Sequence, residues 1–158
     1  MNQHEQLIEK FYTSFQKLDA AGMTSCYHDD ILFFDPVFQD LHGDKAKAMW
    51  KMLCASARGF SLTFRKVKAD DEYGSCNWQA SYIFSGTGRK VVNNISARFR
   101  FRDGLIIEHM DDFDLWKWSR QALGWSGILL GWSPVIKKKV SATAIKNLDT
   151  FIHKMNQH

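Results

Sequence analysis

The chain has little proline and little cysteine. Its 158 residues include two prolines, Pro36 and Pro134, and three cysteines without CxxC spacing, Cys26, Cys54 and Cys76. An odd number of thiols, and no apolar segment near residue 1, predict a reducing, cytoplasmic location with free thiols. No apolar run approaches the roughly 18 residues that a membrane-spanning helix needs.

Metal-binding patterns and a strong charge of one sign are also missing. The six histidines form no HxH, HExxH or Cys/His zinc spacing, so we expect no metal site. A net charge of +4 is too small to indicate a nucleic-acid partner by itself. Two basic clusters, one of Arg98, Arg100 and Arg102 and one over residues 137–139, therefore fit solvated faces or salt-bridge partners.

Aromatic residues, in contrast, are abundant. They make up 14% of the chain, with twelve Phe and six Trp, which favours a large apolar pocket or an interface. With 45% apolar and 24% charged residues, the composition is that of a globular protein rather than a disordered one. The length fits one domain.

The hydrophobic pattern changes period along the chain. Apolar residues at helical spacing predict helices over residues 3–18 and 43–59, and the stretch ILFFDPVF between them is typical of a strand bent by Pro36. Residues 61–116 mostly alternate between apolar and polar side chains, which predicts strands. Helices followed by an antiparallel sheet predict an α+β fold, with the helices packed into one face of a strongly curved sheet.

The C-terminal part predicts a helical extension. Leu115–Leu123 forms a short helical pattern stopped by Gly124, and Ser133 followed by Pro134 is a helix-start signal for a helix to about residue 155. We predict a domain over 1–123 and an extension over 124–158 packed on it. The segment 124–134 either packs on its own helices, covers a pocket, makes a dimer contact or, ranked last, touches a membrane surface.

The stretch LDAAGMTSCYHDDILFFDPVFQDLHG resembles a helix–YxDD–strand–DP–hG run. That run is found in the nuclear transport factor 2-like superfamily, in its ketosteroid-isomerase and SnoaL-type polyketide-cyclase branches, and the resemblance covers about residues 5–116. It implies a cone-shaped antiparallel (mixed) sheet, a pocket for a hydrophobic small molecule, no cofactor and a homodimer. Members of this fold differ widely in chemistry, so the resemblance predicts fold more sharply than reaction.

The resemblance also implies a role for Asp35. It matches the aspartate of the DP motif, which is the general base of ketosteroid isomerase, an enzyme that adds a tyrosine and a protonated aspartate as its oxyanion hole. Those two positions correspond here to Phe11 and Ala97, neither of which can donate a hydrogen bond. Ketosteroid isomerase activity itself is therefore not expected.

The sequence FRDGL allows two hairpin registers. A two-residue turn at 103–104 pairs Arg102 with Leu105, whereas a three-residue loop at 102–104 pairs Phe101 with Leu105. We predict the three-residue loop, because it places the mostly apolar alternate residues of the last strand on the concave face.

This register points His109 and Asp111 inward and places Glu108 opposite Arg98. Together with Asp35 they form the candidate catalytic group, in which Asp111 holds one tautomer of His109 and His109 serves as electrophile or general acid. The expected pocket wall consists of aromatic residues and one alanine: Phe11, Phe15, Trp50, Trp78, Tyr82, Ala97, Phe99 and Phe113.

Three functions are compatible with these patterns. The first is a cofactor-independent isomerase, lyase or cyclase acting on a steroid-like, polyketide or acyl compound. The second is non-catalytic binding of a hydrophobic ligand, in which Asp35 only forms the bend before Pro36 and His109 is a satisfied core histidine. The third is a membrane-surface or protein-interaction module that uses the C-terminal segment.

Overall fold

The computed structural model describes residues 1–124 and 134–157. Within them the helices are α1 (Gln3–Gln16), α2 (Ala20–Thr24), α3 (Asp44–Ser56), α4 (Leu115–Leu123) and α5 (Pro134–Asn156). The strands are β1 (Tyr27–Asp35), β2 (Gln39–His42), β3 (Ser61–Ala69), β4 (Tyr73–Ile83), β5 (Lys90–Arg102) and β6 (Leu105–Asp112). The predicted Ser133 cap, and residues 125–133 of the segment discussed above, lie outside the described residues.

The strands form one sheet in the order β2-β1-β6-β5-β4-β3. Neighbouring strands are antiparallel except β1 and β6, which are parallel. Helices α1 and α3 pack on the concave side, and their apolar residues build the core with the inward side chains of the sheet. The predicted α+β class with a mixed sheet is confirmed, although the short strand β2 was not anticipated.

Helix α1 begins where its capping residues predict. The Asn2 side chain accepts a hydrogen bond from the Glu5 backbone N–H at 2.8 Å, and the Glu5 carboxylate accepts one from the Asn2 backbone at 3.2 Å. This reciprocal cap satisfies donors that the helix itself leaves unpaired. The apolar positions at helical spacing, Phe11 and Phe15 among them, are buried under the sheet.

The β5–β6 hairpin differs from the prediction. Arg102 pairs with Leu105, and Asp103 and Gly104 form the turn with φ of +55° and +74°. The predicted three-residue loop is therefore wrong, because an Asp-Gly pair suits the two left-handed positions of a tight two-residue turn.

A β-bulge next to this turn then resets the register. Phe101 pairs with Ile106 but Arg100 pairs with Glu108, so Ile107 is the extra residue between them. Glu108 consequently contacts Arg100, at 3.6 Å between Oε1 and Nη1, rather than facing Arg98 as predicted. Beyond the bulge, alternate residues of β6 starting at His109 face the interior.

Helix α5 packs against α3. Leu148 is fully buried there, and Lys45 of α3 forms an ion pair with Asp149 at 3.3 Å. The start of α5 places Ile136 and Val140 over the concave side of the sheet. None of the helices in the described ranges is long and apolar enough to cross a membrane.

Candidate functional site

A cavity of about 560 Å³ opens on the concave face of the sheet. Its walls come from α3, from strands β4 and β5, and from the N-terminal half of α5, and they are mostly apolar. The polar side chains that interrupt this surface include Asp35, Tyr82, Asn93 and Asp111 on the strands and next to them, and others on the helices and loops, such as Ser56, Lys139 and Asn147. A cavity of this size can enclose a drug-sized ligand, and few polar groups in an apolar wall are typical of such sites.

A row of buried hydrogen bonds ends at this cavity. The Trp50 indole N–H donates to the Tyr27 hydroxyl at 2.8 Å, and the Tyr27 hydroxyl lies 2.7 Å from Nδ1 of His109. Nε2 of His109 lies 2.9 Å from Oδ1 of Asp111. We call these four side chains the relay.

The relay has a single consistent direction when the imidazole is neutral. Burial raises the pKa of Tyr27 well above its usual value, so its hydroxyl keeps its proton. Because the Tyr27 oxygen already accepts from Trp50, its O–H donates to Nδ1 of His109. His109 then carries its proton on Nε2 and donates it to Asp111.

The imidazole of His109 is sealed from the cavity. It is 0% exposed, and its ring centroid lies 4.6 Å from that of Phe99, 5.2 Å from Phe33 and 5.4 Å from Phe11. Neither His109 nor Tyr27 lines the cavity, so the relay meets the ligand space at its two ends, through the Trp50 ring and the Asp111 carboxylate.

Asp111 presents one oxygen to the cavity. Its Oδ1 faces His109 and, at 3.4 Å, the indole N–H of Trp78. Among the described residues, none donates a hydrogen bond to Oδ2 of Asp111. The carboxylate is 4% exposed and lines the cavity, so Oδ2 is the oxygen that a ligand can reach.

Asp35 lies beside Asp111 on the neighbouring strand. The parallel pairing of β1 with β6 reaches Phe34 and Met110, and the next residues are Asp35 and Asp111. Neighbouring strands are separated by about 4.8 Å, so the two carboxyl groups share one end of the cavity.

The environment of Asp35 favours its protonated form. Burial raises its pKa to about 7, hydrogen bonds from the backbone N–H groups of Phe38 and Val37 lower it, and the charge of Asp111 raises it. Those two bonds, of 2.6 and 2.9 Å, both end on Oδ1 and form the turn that carries Pro36. Asp35 therefore has two backbone donors, more than the single polar neighbour expected from the sequence.

The structure separates the predicted wall residues into two groups. Five line the cavity: Phe15, Trp50, Trp78, Tyr82 and Phe113. The other three, Phe11, Ala97 and Phe99, are buried next to His109 and do not line it. The bulge in β6 explains this division, because it places His109 against Phe99 and Asp111 against Ala97, which fills that part of the concave face.

Sequence reasoning missed Tyr27 in the relay and Asn93 in the wall. Tyr27 alternates with Ile31 and Phe33 on the inner face of β1, but the shift in the pairing of β1 with β6 between Tyr27 and Leu32 hides its contact with His109. Asn93, in contrast, follows the inward alternation of Ile95 and Ala97 and was detectable as a polar residue on an apolar face.

Two other chemistries receive no support from the described residues. Cys76 is buried, and burial raises its pKa to about 12, so it stays a thiol. No group of three or more His, Cys, Asp or Glu side chains within the described ranges is arranged to hold a metal ion.

Comparison with protein families adds a match over the strands and helices that build this site. Residues 8–109 match the model of the SnoaL-like domain. This chain belongs to the SnoaL-like family. The matched region of this SnoaL-like protein includes Tyr27, Asp35, Trp50 and His109, while Asp111 and α5 follow it. No curated protein sequence matches the chain significantly.

Solved structures show the same fold at low identity. An NTF2-like protein of unknown function from Burkholderia pseudomallei is 16% identical, with a TM-score of 0.66 over 77% of this SnoaL-like chain and 98% of the other. A putative polyketide cyclase from Xanthomonas campestris is 19% identical, with a TM-score of 0.64 over 76% and 96%. An LEH-like epoxide hydrolase from M. tuberculosis is also 19% identical, with a TM-score of 0.64 over 80% and 92%.

Proposed function

We propose that this SnoaL-like protein moves protons on an apolar small molecule, as a cofactor-independent isomerase, lyase or cyclase. The observation that carries the proposal is the junction of the relay with the cavity, where Asp111 lies beside Asp35. Two carboxyl groups in different environments at one end of an apolar cavity can divide the roles of base and acid.

Asp111 serves as the general base. Its Oδ1 is occupied by N–H donors, so Oδ2 takes a proton from a ligand carbon next to a carbonyl group. The C–H bond breaks, its electron pair forms the enol double bond, and the proton of Asp35 goes to the carbonyl oxygen. Return of the two protons, one of them to a different carbon in an isomerase, restores both carboxyl groups.

Asp35 is suited to the acid role. With a pKa of about 7 it is protonated in about half of the molecules near neutrality. His109 and Tyr27, behind Asp111, do not line the cavity but hold its carboxylate in one orientation, which is the task of positioning groups behind a catalytic carboxylate.

Deuterium exchange tests this proposal without knowledge of the natural substrate. A panel of apolar ketones in D2O is incubated with the protein, and NMR measures deuterium at carbons next to the carbonyl. We expect exchange above the buffer rate, falling above about pH 7 as the acid form of Asp35 disappears. Asp111→Asn and Asp35→Asn should each lower the rate by roughly 10²-fold or more.

The matched control is Asp112→Asn, which changes the exposed neighbour on the opposite face of β6. It should leave the exchange rate unchanged. Equal rates for the wild type, Asp111→Asn and buffer with every ketone would contradict the catalytic proposal.

Non-catalytic binding is the second candidate. It is favoured by the internal hydrogen bonds of both carboxyl groups, since Asp35 closes a turn and Asp111 closes the relay. Under this reading the protein binds apolar ketones without exchange. Binding with buffer-level exchange in every variant would select it.

We also propose that the protein is a cytoplasmic homodimer and that residues 124–158 belong to the same domain as residues 1–123. The burial of Leu148 and the ion pair between Lys45 and Asp149 support the second statement. Light scattering tests the homodimer, because it measures the mass of the intact protein in solution.

A further inference from the structure

Asn93 is a buried amide without a visible structural task. It lies on β5, is 8% exposed and lines the cavity. Among the described residues its side chain has no hydrogen-bond partner. Its amide atoms are open to the cavity, so only water or the polar group of a ligand can pair with them, and an amide presented in this way on an apolar wall points to a ligand group.

The neighbouring residue shows how unusual this is. Asn94 lies on the outer face of the same strand, and its carbonyl oxygen accepts from Gln79 at 3.0 Å. The same type of side chain is therefore exposed and hydrogen-bonded at Asn94, but buried and without a protein partner among the described residues at Asn93.

Tyr82 adds a second donor near Asn93. Ala80 pairs directly with Asn93 and Tyr82 pairs with Val91, so Tyr82 and Asn93 are diagonal neighbours on the inner face. The Tyr82 oxygen accepts from the Trp118 indole N–H at 2.7 Å. That bond leaves the Tyr82 proton available to a ligand, and burial raises the pKa of Tyr82, so the proton is retained.

Asn93 is distant from Asp111 along the cavity, whereas Tyr82 is close enough to Asp35 for the charge of that carboxylate to raise its pKa as well. Asp111 pairs with Ala97, and Asn93 is four residues further along β5, a separation of about 13 Å in a strand. The wall between them is apolar and includes Ile95 and Trp78.

We infer that Asn93, with Tyr82, binds a carbonyl or hydroxyl oxygen at the end of the ligand remote from Asp111. The substrate class is thus an elongated apolar compound with oxygen at two separated positions. This inference rests on the proposed function for its choice of ligand cavity, but it concerns binding and not turnover.

Two ligands of the same shape test it. 9-Fluorenone and fluorene differ by one carbonyl group, and their binding is followed through the fluorescence of the cavity residues Trp78 and Trp118. Measurements at pH 8.5 keep Asp35 ionised, so that it cannot donate to the carbonyl. We compare the ratio of the two dissociation constants, which cancels general changes in hydrophobic binding.

Asn93→Leu should weaken fluorenone relative to fluorene by roughly 5- to 10-fold, as expected for loss of one hydrogen bond. Asn94→Leu, the same change on the outer face, should leave the ratio at the wild-type value. If Asn93→Leu does not fold, as judged by thermal unfolding, Asn93→Ala replaces it with the same expectation.

An unchanged ratio in the folded Asn93 variant overturns the inference, and so does a wild-type protein that binds neither compound. Failure of the proposed catalysis is distinguishable, because it appears as missing deuterium exchange while the fluorenone-to-fluorene ratio still depends on Asn93.

Discussion

The concave face of the sheet has a packed half and an open half. Around His109 the imidazole is enclosed by the rings of Phe11, Phe33 and Phe99. Along β4 and β5 the inward residues include the small Ala80 and the unpaired Asn93, and a cavity of about 560 Å³ remains. Both halves use the same sheet and the same alternation, so they differ in what covers them: the ring of Phe11 from α1 fills the space next to His109, whereas α3 and α5 leave a cavity over β4 and β5.

The comparison shows why the relay and the ligand site are different places. His109 belongs to the packed half and is satisfied on both ring nitrogens. Asp111 lies at the border, with one oxygen bound to His109 and the other free to meet a ligand. Rigid support on one side and open space on the other are what a positioned carboxylate needs.

The largest expected effect comes from removing a ring from each half. Phe11→Ala should lower the free energy of unfolding by roughly 3–5 kcal/mol, because the fully buried ring leaves a void that close neighbours cannot fill. Phe113→Ala, on the cavity wall, should cost only about 1–2 kcal/mol, since its space joins an existing opening. Urea denaturation measures both, and equal losses would refute the division into halves.

Removal of one hydroxyl from each half should give a smaller difference. Tyr27→Phe leaves Nδ1 of His109 and the indole N–H of Trp50 without partners, at a cost of roughly 2–4 kcal/mol. Tyr82→Phe leaves only the indole N–H of Trp118 unpaired and should cost about 1 kcal/mol. Chemical denaturation at pH 7 compares the two, and a larger loss for Tyr82→Phe would contradict the structural role of the relay.

The smallest expected effect is the contribution of Asp35 to the pH dependence of stability. The folded-state pKa of Asp35 is raised to about 7, so the native state holds a proton that the unfolded state has already released above about pH 4. Stability contributed by Asp35 therefore falls as the pH rises from about 4 to about 7. Asp35→Asn, which keeps the turn-forming oxygen, should stabilise the protein by about 1–2 kcal/mol at pH 8.5 and by less at pH 5.

Asp70 provides the matched control. It also accepts two backbone N–H bonds, from Glu72 and Tyr73, but it is exposed, and these bonds lower its pKa. Stability from such a group is present above its unfolded pKa and lost as the pH falls, so Asp70→Asn should destabilise at pH 8.5. Thermal unfolding across pH gives both curves, and parallel curves would show that burial does not govern Asp35.

Local signals in the sequence were sufficient for most of the fold. The α+β order follows from hydrophobic period, and α4 occupies Leu115–Leu123 and ends before Gly124 as predicted, with the Asp114 side chain capping its start. The β5–β6 turn was missed because two features compensate: a shorter loop and one extra residue in β6. Hydrophobic alternation depends only on the combined number of residues in the turn and the bulge, so it cannot tell a longer loop from a shorter loop followed by a bulge.

The candidate site was only partly predictable for a similar reason. Asp35 and Asp111 could be placed on the inner face by alternation, whereas the enclosure of His109 depends on four rings from different elements. The contribution of α5 to the cavity wall was equally hidden, because it depends on how a helix distant in sequence docks on α3.

The conformation of Ile107, the extra residue in β6, decides which later residues of that strand face the interior. If Ile107 paired with Arg100 in a regular ladder, Glu108, Met110 and Asp112 would face inward, and His109 and Asp111 would face outward. Because Ile107 is left unpaired, Glu108 contacts Arg100 instead and the acidic row faces outward. A one-residue slip in the pairing of β6 with β5 would exchange the set of side chains that faces the interior, while the order of the strands stays the same.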